Sequence, residues 1–269
     1  MFTIKRAKII PIISAAVFFV MLIVNMLANV LPINGVTTGG VSDSFPNYFA
    51  PTGLTFTVWG AIYVTGAAYV VYEILQIKKI ADNEESRRFF KVNVLLIVTS
   101  LLNSIWIFAW QYYVMWLSVI LIVGMLVCLG VIAMTLRNSK YIFRIPFGIY
   151  FGWITIAVVA NVTVLLVQMG VAGQNTTAEL WTGIMIGVAT LIASTYVLRE
   201  EDPAYGFTVL WALVGILIKH LNPAQFNGAY PSVIGAVIFA LVIIVAVIGL
   251  YFYRLYNAGT PKKEVPAKK

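Results

Sequence analysis

Cysteine and histidine are almost absent from this chain. Its one cysteine, Cys128, has no partner for an internal disulfide and excludes a cysteine-rich metal site. Set in an apolar run, Cys128 reads as a small core residue. The one histidine, His220, cannot build a histidine-cluster metal site. Beside Lys219 at the end of an apolar stretch, it reads as an interfacial structural residue. No metal site is expected. Charge is scarce as well, with only 10% of residues Asp, Glu, Lys or Arg. No acidic residue sits in the middle of an apolar run, where ion and proton relays keep their carboxylates, and this counts against a proton-coupled pump. Glu73 comes nearest, at the end of a run from which it can reach water or Lys78 and Lys79. There is no glycine-rich loop followed by Lys-Ser or Lys-Thr, so no nucleotide site is expected. No catalytic motif is found, and the chain is read as a non-enzyme.

In place of charge there is hydrocarbon. The 269 residues are 61% hydrophobic, more apolar surface than a soluble domain can bury, so lipid must be the solvent. A membrane-spanning helix needs about 20 apolar residues. Eight stretches qualify, at about 9–31, 54–77, 92–110, 114–136, 145–169, 181–198, 204–221 and 231–255. The first is too long for a cleaved signal segment and is read as an uncleaved span. The expected fold is an all-α, polytopic membrane helical bundle of about eight transmembrane helices.

Placing the N-terminus inside puts every basic residue but Lys219, of 18 in all, in inner segments or the C-terminal tail. That asymmetry sets the orientation and requires an even number of spans. Both termini are therefore expected in the cytoplasm of a multi-pass protein of the cell inner (plasma) membrane. The net charge of +8 lies between and beyond apolar runs, so nucleic acid is not an expected partner. The longest loop, 32–53, falls outside; it carries Asn34-Gly35, Gly39-Gly40 and Pro46-Asn47, all turn formers. Thr52 or Thr55 is available to cap the helix that follows.

Aromatic and amide side chains recur on single helix faces. Trp59 and Tyr63 are four residues apart in the second span; Asn103, Trp106 and Trp110 share a face of the third; Tyr150, Trp153, Ala157 and Asn161 share a face of the fifth. Asn25 and Asn29 should also face protein, because an amide in hydrocarbon needs a partner. Gly148 with Gly152, and Gly183 with Gly187, have the spacing of close helix contacts.

Three motifs carry a resemblance. They are Pro51-Thr52-Gly53 with Thr57-Val58-Trp59-Gly60-Ala61-Ile62-Tyr63, then Leu102-Asn103-Ser104-Ile105-Trp106, then Tyr150-x-x-Trp153-x-x-x-Ala157-x-x-x-Asn161. In order and on the right spans, they resemble the tryptophan-rich sensory protein family, which includes the mitochondrial translocator protein, or peripheral benzodiazepine receptor. Thr57 stands where the family has proline, and the tryptophan usual after its Pro-Pro-Gly is missing. The resemblance covers about residues 9–170 and implies a five-helix, ligand-binding core over 1–170. Three additional transmembrane helices over 171–256 and a disordered basic tail over 257–269 would follow.

The family binds porphyrins, sterols and synthetic aromatic drugs in a cavity under the first outer loop. On that likeness Trp59, Tyr63, Asn103, Trp106, Tyr150, Trp153 and Asn161 would line or brace the pocket, with Phe49 and Pro51 in its lid. The implied function is binding, sensing or carrying an apolar planar ligand such as a porphyrin, another tetrapyrrole or a sterol. The implied partners are the lipid bilayer, that small ligand and a second copy in a homodimer. No cofactor is expected beyond a porphyrin- or haem-like ligand. A secondary transporter, a tetrapyrrole-modifying enzyme and a structural module for a partner protein remain the alternatives.

Overall fold

A computed structural model describes residues 2–171 and 176–259. Nine α-helices account for its regular structure, with short 3-10 turns and no strand among the described residues. In chain order they are α1 (Ile4–Val30), α2 (Thr38–Asp43), α3 (Val58–Leu75), α4 (Glu84–Gln111), α5 (Met115–Leu136), α6 (Tyr141–Gln168), α7 (Thr176–Glu200), α8 (Pro203–Leu221) and α9 (Pro231–Gly259). All except α2 are long and apolar enough to cross a membrane, eight in all. The protein is a polytopic all-α membrane bundle.

Local chemistry moves several helix ends away from the edges of the apolar runs. Helix α4 starts at Glu84 rather than near 92, because Asn83 caps it: its Oδ1 accepts from the Ser86 N–H at 2.8 Å. Glu84 and Glu85 then lie in the first turn, where the helix dipole favours them. Helix α3 starts at Val58, later than expected, because Gly53–Thr57 forms a 3-10 turn. Neither Thr52 nor Thr55 caps α3 with its side chain. Asp202 caps α8, and Pro203 takes the first helical position, where its missing N–H costs nothing. Helix α9 runs to Gly259, into the stretch read as tail; residues 260–269, with the four tail lysines, lie outside the described residues.

Helix packing closes a ring. Helix α1 touches α3 and α4, α4 touches α5, α5 touches α6, and α6 returns to α3. The other three helices form a sidecar on α6. Helix α8 packs on α6 and α9, and α9 packs on α7, while α7 touches α6 only lightly. The Gly148–Gly152 pair is what admits α8. A Cβ on Gly148 would stand 2.7 Å from Asp202 Oδ2, and one on Gly152 would stand 2.7 Å from the Tyr205 carbonyl oxygen. Gly183 and Gly187 make no such contact, since a Cβ on Gly187 would meet nothing within 4 Å. Outer faces stay apolar, with Val20, Ile23, Val64, Phe239 and Val242 all exposed. That is the surface lipid requires, the backbone polar groups being satisfied within each helix.

The seven loops and turns between spans sort the chain into two ends. The basic end carries the turns with Lys78, Arg88, Arg137 and Arg199. The loop end carries residues 31–57 and the connections after α4, α6 and α8.

Candidate functional site

The seven aromatic and amide residues singled out in the sequence meet inside the ring. Trp59 is their hub. Its ring stacks on Tyr63 at 5.8 Å and meets Trp106 at 6.0 Å, Tyr150 at 5.8 Å and Trp153 at 6.2 Å. Tyr63 is half-buried and the other six are buried. Aromatic pairs in such tilted and edge-on arrangements contribute about 0.5–1.5 kcal/mol each beyond area burial.

The amides tie the ring together. Asn103 Oδ1 accepts from Asn25 Nδ2 at 2.7 Å, and Asn103 Nδ2 donates to the Tyr150 hydroxyl at 3.0 Å. One residue thereby links α1, α4 and α6. Asn161 Oδ1 accepts from Trp106 Nε1 at 3.1 Å and from the Ser118 hydroxyl, linking α6, α4 and α5. Asn29 accepts from the Thr38 N–H at 3.4 Å, which ties α1 to the start of α2. Trp153 Nε1 is buried without a hydrogen-bond partner.

The loop over this cluster is an ordered structure. Pro46-Asn47 builds its bend: Asn47 Oδ1 accepts from the Phe49 N–H at 3.0 Å and the Ala50 N–H at 2.7 Å. This side-chain turn is the reason asparagine suits the position. Tyr48, Phe49, Ala50 and Pro51 are buried as a result.

One side of the loop is bonded to α4, where Trp110 Nε1 donates to the Thr38 carbonyl at 3.0 Å and Asn34 Nδ2 donates to the Gln111 carbonyl at 2.9 Å. The other side is bonded to α8, along one face. Trp211 Nε1 donates to the Thr55 carbonyl at 2.9 Å, and the Gly215 carbonyl accepts from the Thr52 N–H at 3.2 Å. Lys219 pairs with Asp43 at 3.3 Å. His220 Nε2 lies 2.9 Å from the Tyr48 carbonyl, which can only accept, so Nε2 carries the proton. His220 thus has the structural role its position suggested, buried among Tyr48, Phe226 and Tyr230.

A cavity of about 570 Å3 lies beside the loop, on the far side of α6 from the aromatic cluster. Asn47, Tyr48 and Phe49 form one wall, Val159, Val162 and Thr163 of α6 a second, and Ala178, Trp181 and Met185 of α7 a third. The space exists because α8 sits between α6 and α9 and leaves α7 only lightly seated on α6. Of the residues named from sequence, Phe49 lines this cavity; the other lid residue, Pro51, and the seven cluster residues do not. Burial raises the Tyr48 hydroxyl above its ordinary pKa, with Tyr230 adding to the shift, so Tyr48 presents a neutral phenol.

A family model for TSPO-like proteins matches residues 11–251. The chain belongs to the TSPO-like protein family. No curated protein and no solved structure matches. The match extends past the three motifs, through α7 and α8 and into α9. The sidecar helices are thus within the TSPO-like sequence pattern, whereas the motifs alone reach only to about residue 170. Within this TSPO-like chain the residues missed from sequence are Trp181 and the outward face of α6. Trp181 carried a weak signal, an aromatic at the end of a span. Val159, Val162 and Thr163 carried none, because they read as an ordinary apolar stretch.

Proposed function

We propose that this membrane protein binds an apolar, planar ligand of the tetrapyrrole class in the cavity between α6 and α7, beneath Tyr48 and Phe49. The observation that carries the reading is the cavity itself, walled on one side by the loop that the family resemblance marks as a lid. Its volume falls within the roughly 300–1,000 Å3 of small-molecule sites. Trp181 and Phe49 supply flat aromatic surface, and Asn47, Thr163 and Thr182 supply the few polar groups that set orientation. Those groups orient a ligand and do not react with it, so the activity is binding and sensing or delivery, not catalysis. Trp59, Tyr63, Asn103, Trp106, Tyr150, Trp153 and Asn161 brace α6 from behind. The basic end faces the cytoplasm of the cell inner membrane and the cavity faces the outer leaflet, in keeping with the positive-inside rule.

The test is titration of the detergent-purified protein with protoporphyrin IX, followed by tryptophan fluorescence. Saturable quenching is expected, with affinity reduced about tenfold or more in Trp181→Ala and unchanged in Trp153→Ala. Absence of saturable quenching would refute the reading. Weakening by Trp153→Ala with none by Trp181→Ala would move the ligand into the ring interior.

A further inference from the structure

A second polar site lies at the basic end. Glu73, on the last turn of α3, is only 6% exposed. The sequence leaves it free to reach Lys78 or Lys79, but it is in none of the ion pairs among the described residues. Its partner is an amide: Asn93 Nδ2 donates to Glu73 Oε2 at 2.8 Å and to the Phe89 carbonyl at 3.0 Å. Asn93 is fully buried, and its Oδ1 has no hydrogen-bond partner. One turn before Glu73, the buried Tyr69 hydroxyl has none either. A cleft of about 140 Å3 leads from the basic end to Glu73 and Asn93, passing Gln76, Asn83 and Ser86.

We propose that Glu73 and Asn93 form the floor of a binding site for one monovalent alkali cation of the sodium class, entered through this cleft. A buried carboxylate is costly unless its charge is balanced, and an ionisable group inside a membrane bundle marks function by default. The Asn93 amide is turned so that its N–H group holds the carboxylate while its Oδ1 is left buried without a donor.

Carboxylate and amide oxygens are hard ligands, and they suit an alkali or alkaline-earth ion over a transition metal. No group of three or more His, Cys, Asp or Glu suited to a metal occurs among the described residues. Charge then selects the valence. One buried carboxylate is neutralised by one positive charge, whereas a calcium site gathers 6–8 oxygens with several carboxylates among them. The charged groups facing Glu73 across the cleft are Lys79 and Glu85; α1 contributes only Ala7 and Pro11. A proton competes for the same carboxylate.

The experiment uses full-length protein in detergent, with thermal unfolding read by tryptophan fluorescence in sodium chloride or choline chloride at equal ionic strength. Equilibrium dialysis against radioactive sodium accompanies it. At pH 8 sodium should raise the midpoint saturably above that in choline, dialysis should give one ion per chain, and both effects should shrink at pH 5.5. Glu73→Gln keeps the shape and the Asn93 contact and should abolish both. Equal midpoints in sodium and choline together with no retained sodium would overturn the proposal. Sodium binding that survives Glu73→Gln would also overturn it, as would stabilisation by protons alone. None of these outcomes involves the α6–α7 cavity.

Discussion

Two glycines of the sidecar should respond in opposite directions to the same substitution. Gly215 lies on the face of α8 that carries the loop, and Thr55 packs directly on it. A Cβ there would approach the Thr55 side chain far inside contact distance, within 2.8 Å of both its Cβ and its Cγ2. Gly187 on α7 faces open space, with nothing within 4 Å of the same added atom. Glycine to alanine inside a helix gains about 1 kcal/mol of propensity. For Gly187→Ala that gain stands alone, so neutral or slightly raised stability is expected.

For Gly215→Ala, overpacking costs about 1–3 kcal/mol. Displacing Thr55 also strains the Trp211–Thr55 and Thr52–Gly215 hydrogen bonds, of 2.9 and 3.2 Å. At about 0.5–1.5 kcal/mol each, their loss adds about 1–3 kcal/mol. The net cost is about 1–5 kcal/mol. It should appear as a lower unfolding midpoint in detergent, with faster hydrogen exchange at Thr52 and Thr55 in particular. Equal midpoints for the two variants, or slow exchange at Thr52 in Gly215→Ala, would refute the view that α8 holds the loop.

Other perturbations test other contacts. Asp43→Asn leaves the Lys219 ammonium, 8% exposed, without its anion and should cost about 1–3 kcal/mol, while Lys219→Met should be neutral or stabilising; midpoints of both variants decide. Burial raises the Asp202 carboxyl from 3.8 to about 6 against the opposing pull of Arg144. The folded chain therefore holds that proton more tightly than the unfolded one. The associated stability is complete below about 3.8 and is lost as pH rises through about 6, and Asp202→Asn should flatten that slope in midpoint-versus-pH curves. Asn161→Leu and Asn103→Leu should each cost about 0.6–2 kcal/mol of stability. Neither should weaken porphyrin binding, because neither amide lines the cavity.

Much of this architecture is legible in the sequence. Long apolar runs and clustered basic residues reveal the eight spans, because a bilayer imposes both. The positions of Asn103 and Asn161 reveal which faces turn inward, since an amide in hydrocarbon needs a partner. The helix starts at Glu84 and Val58 are less legible, because caps and turns are decided by one or two side chains and not by hydropathy. The cavity is the least legible feature. Its walls come from the side of α6 opposite to the polar stripe, where Val159, Val162 and Thr163 look like any lipid-facing residues. What makes them a wall is α8, which holds α7 away from α6, and that depends on the fit of Gly148 and Gly152 to Asp202 and Tyr205.

Helix α6 therefore has two duties, and they constrain how the cavity can adapt. Its inner face is fixed to α4 and α5 through Asn161, Trp106 and Ser118, so its outer face cannot shift without breaking buried hydrogen bonds. The loop wall is equally constrained, since Tyr48 is fastened to His220 and its neighbours to Gly215 and Trp211. Helix α7 is tied to the ring at its basic end, where Arg137 and Arg144 bond Arg199 and Glu200, and the rest of it packs chiefly on α9. A ligand larger than the resting cavity would then be accommodated by movement of α7, with α9 moving alongside it. The sidecar sets both the position of the lid and the width of the pocket, through α8 for the first and α7 for the second.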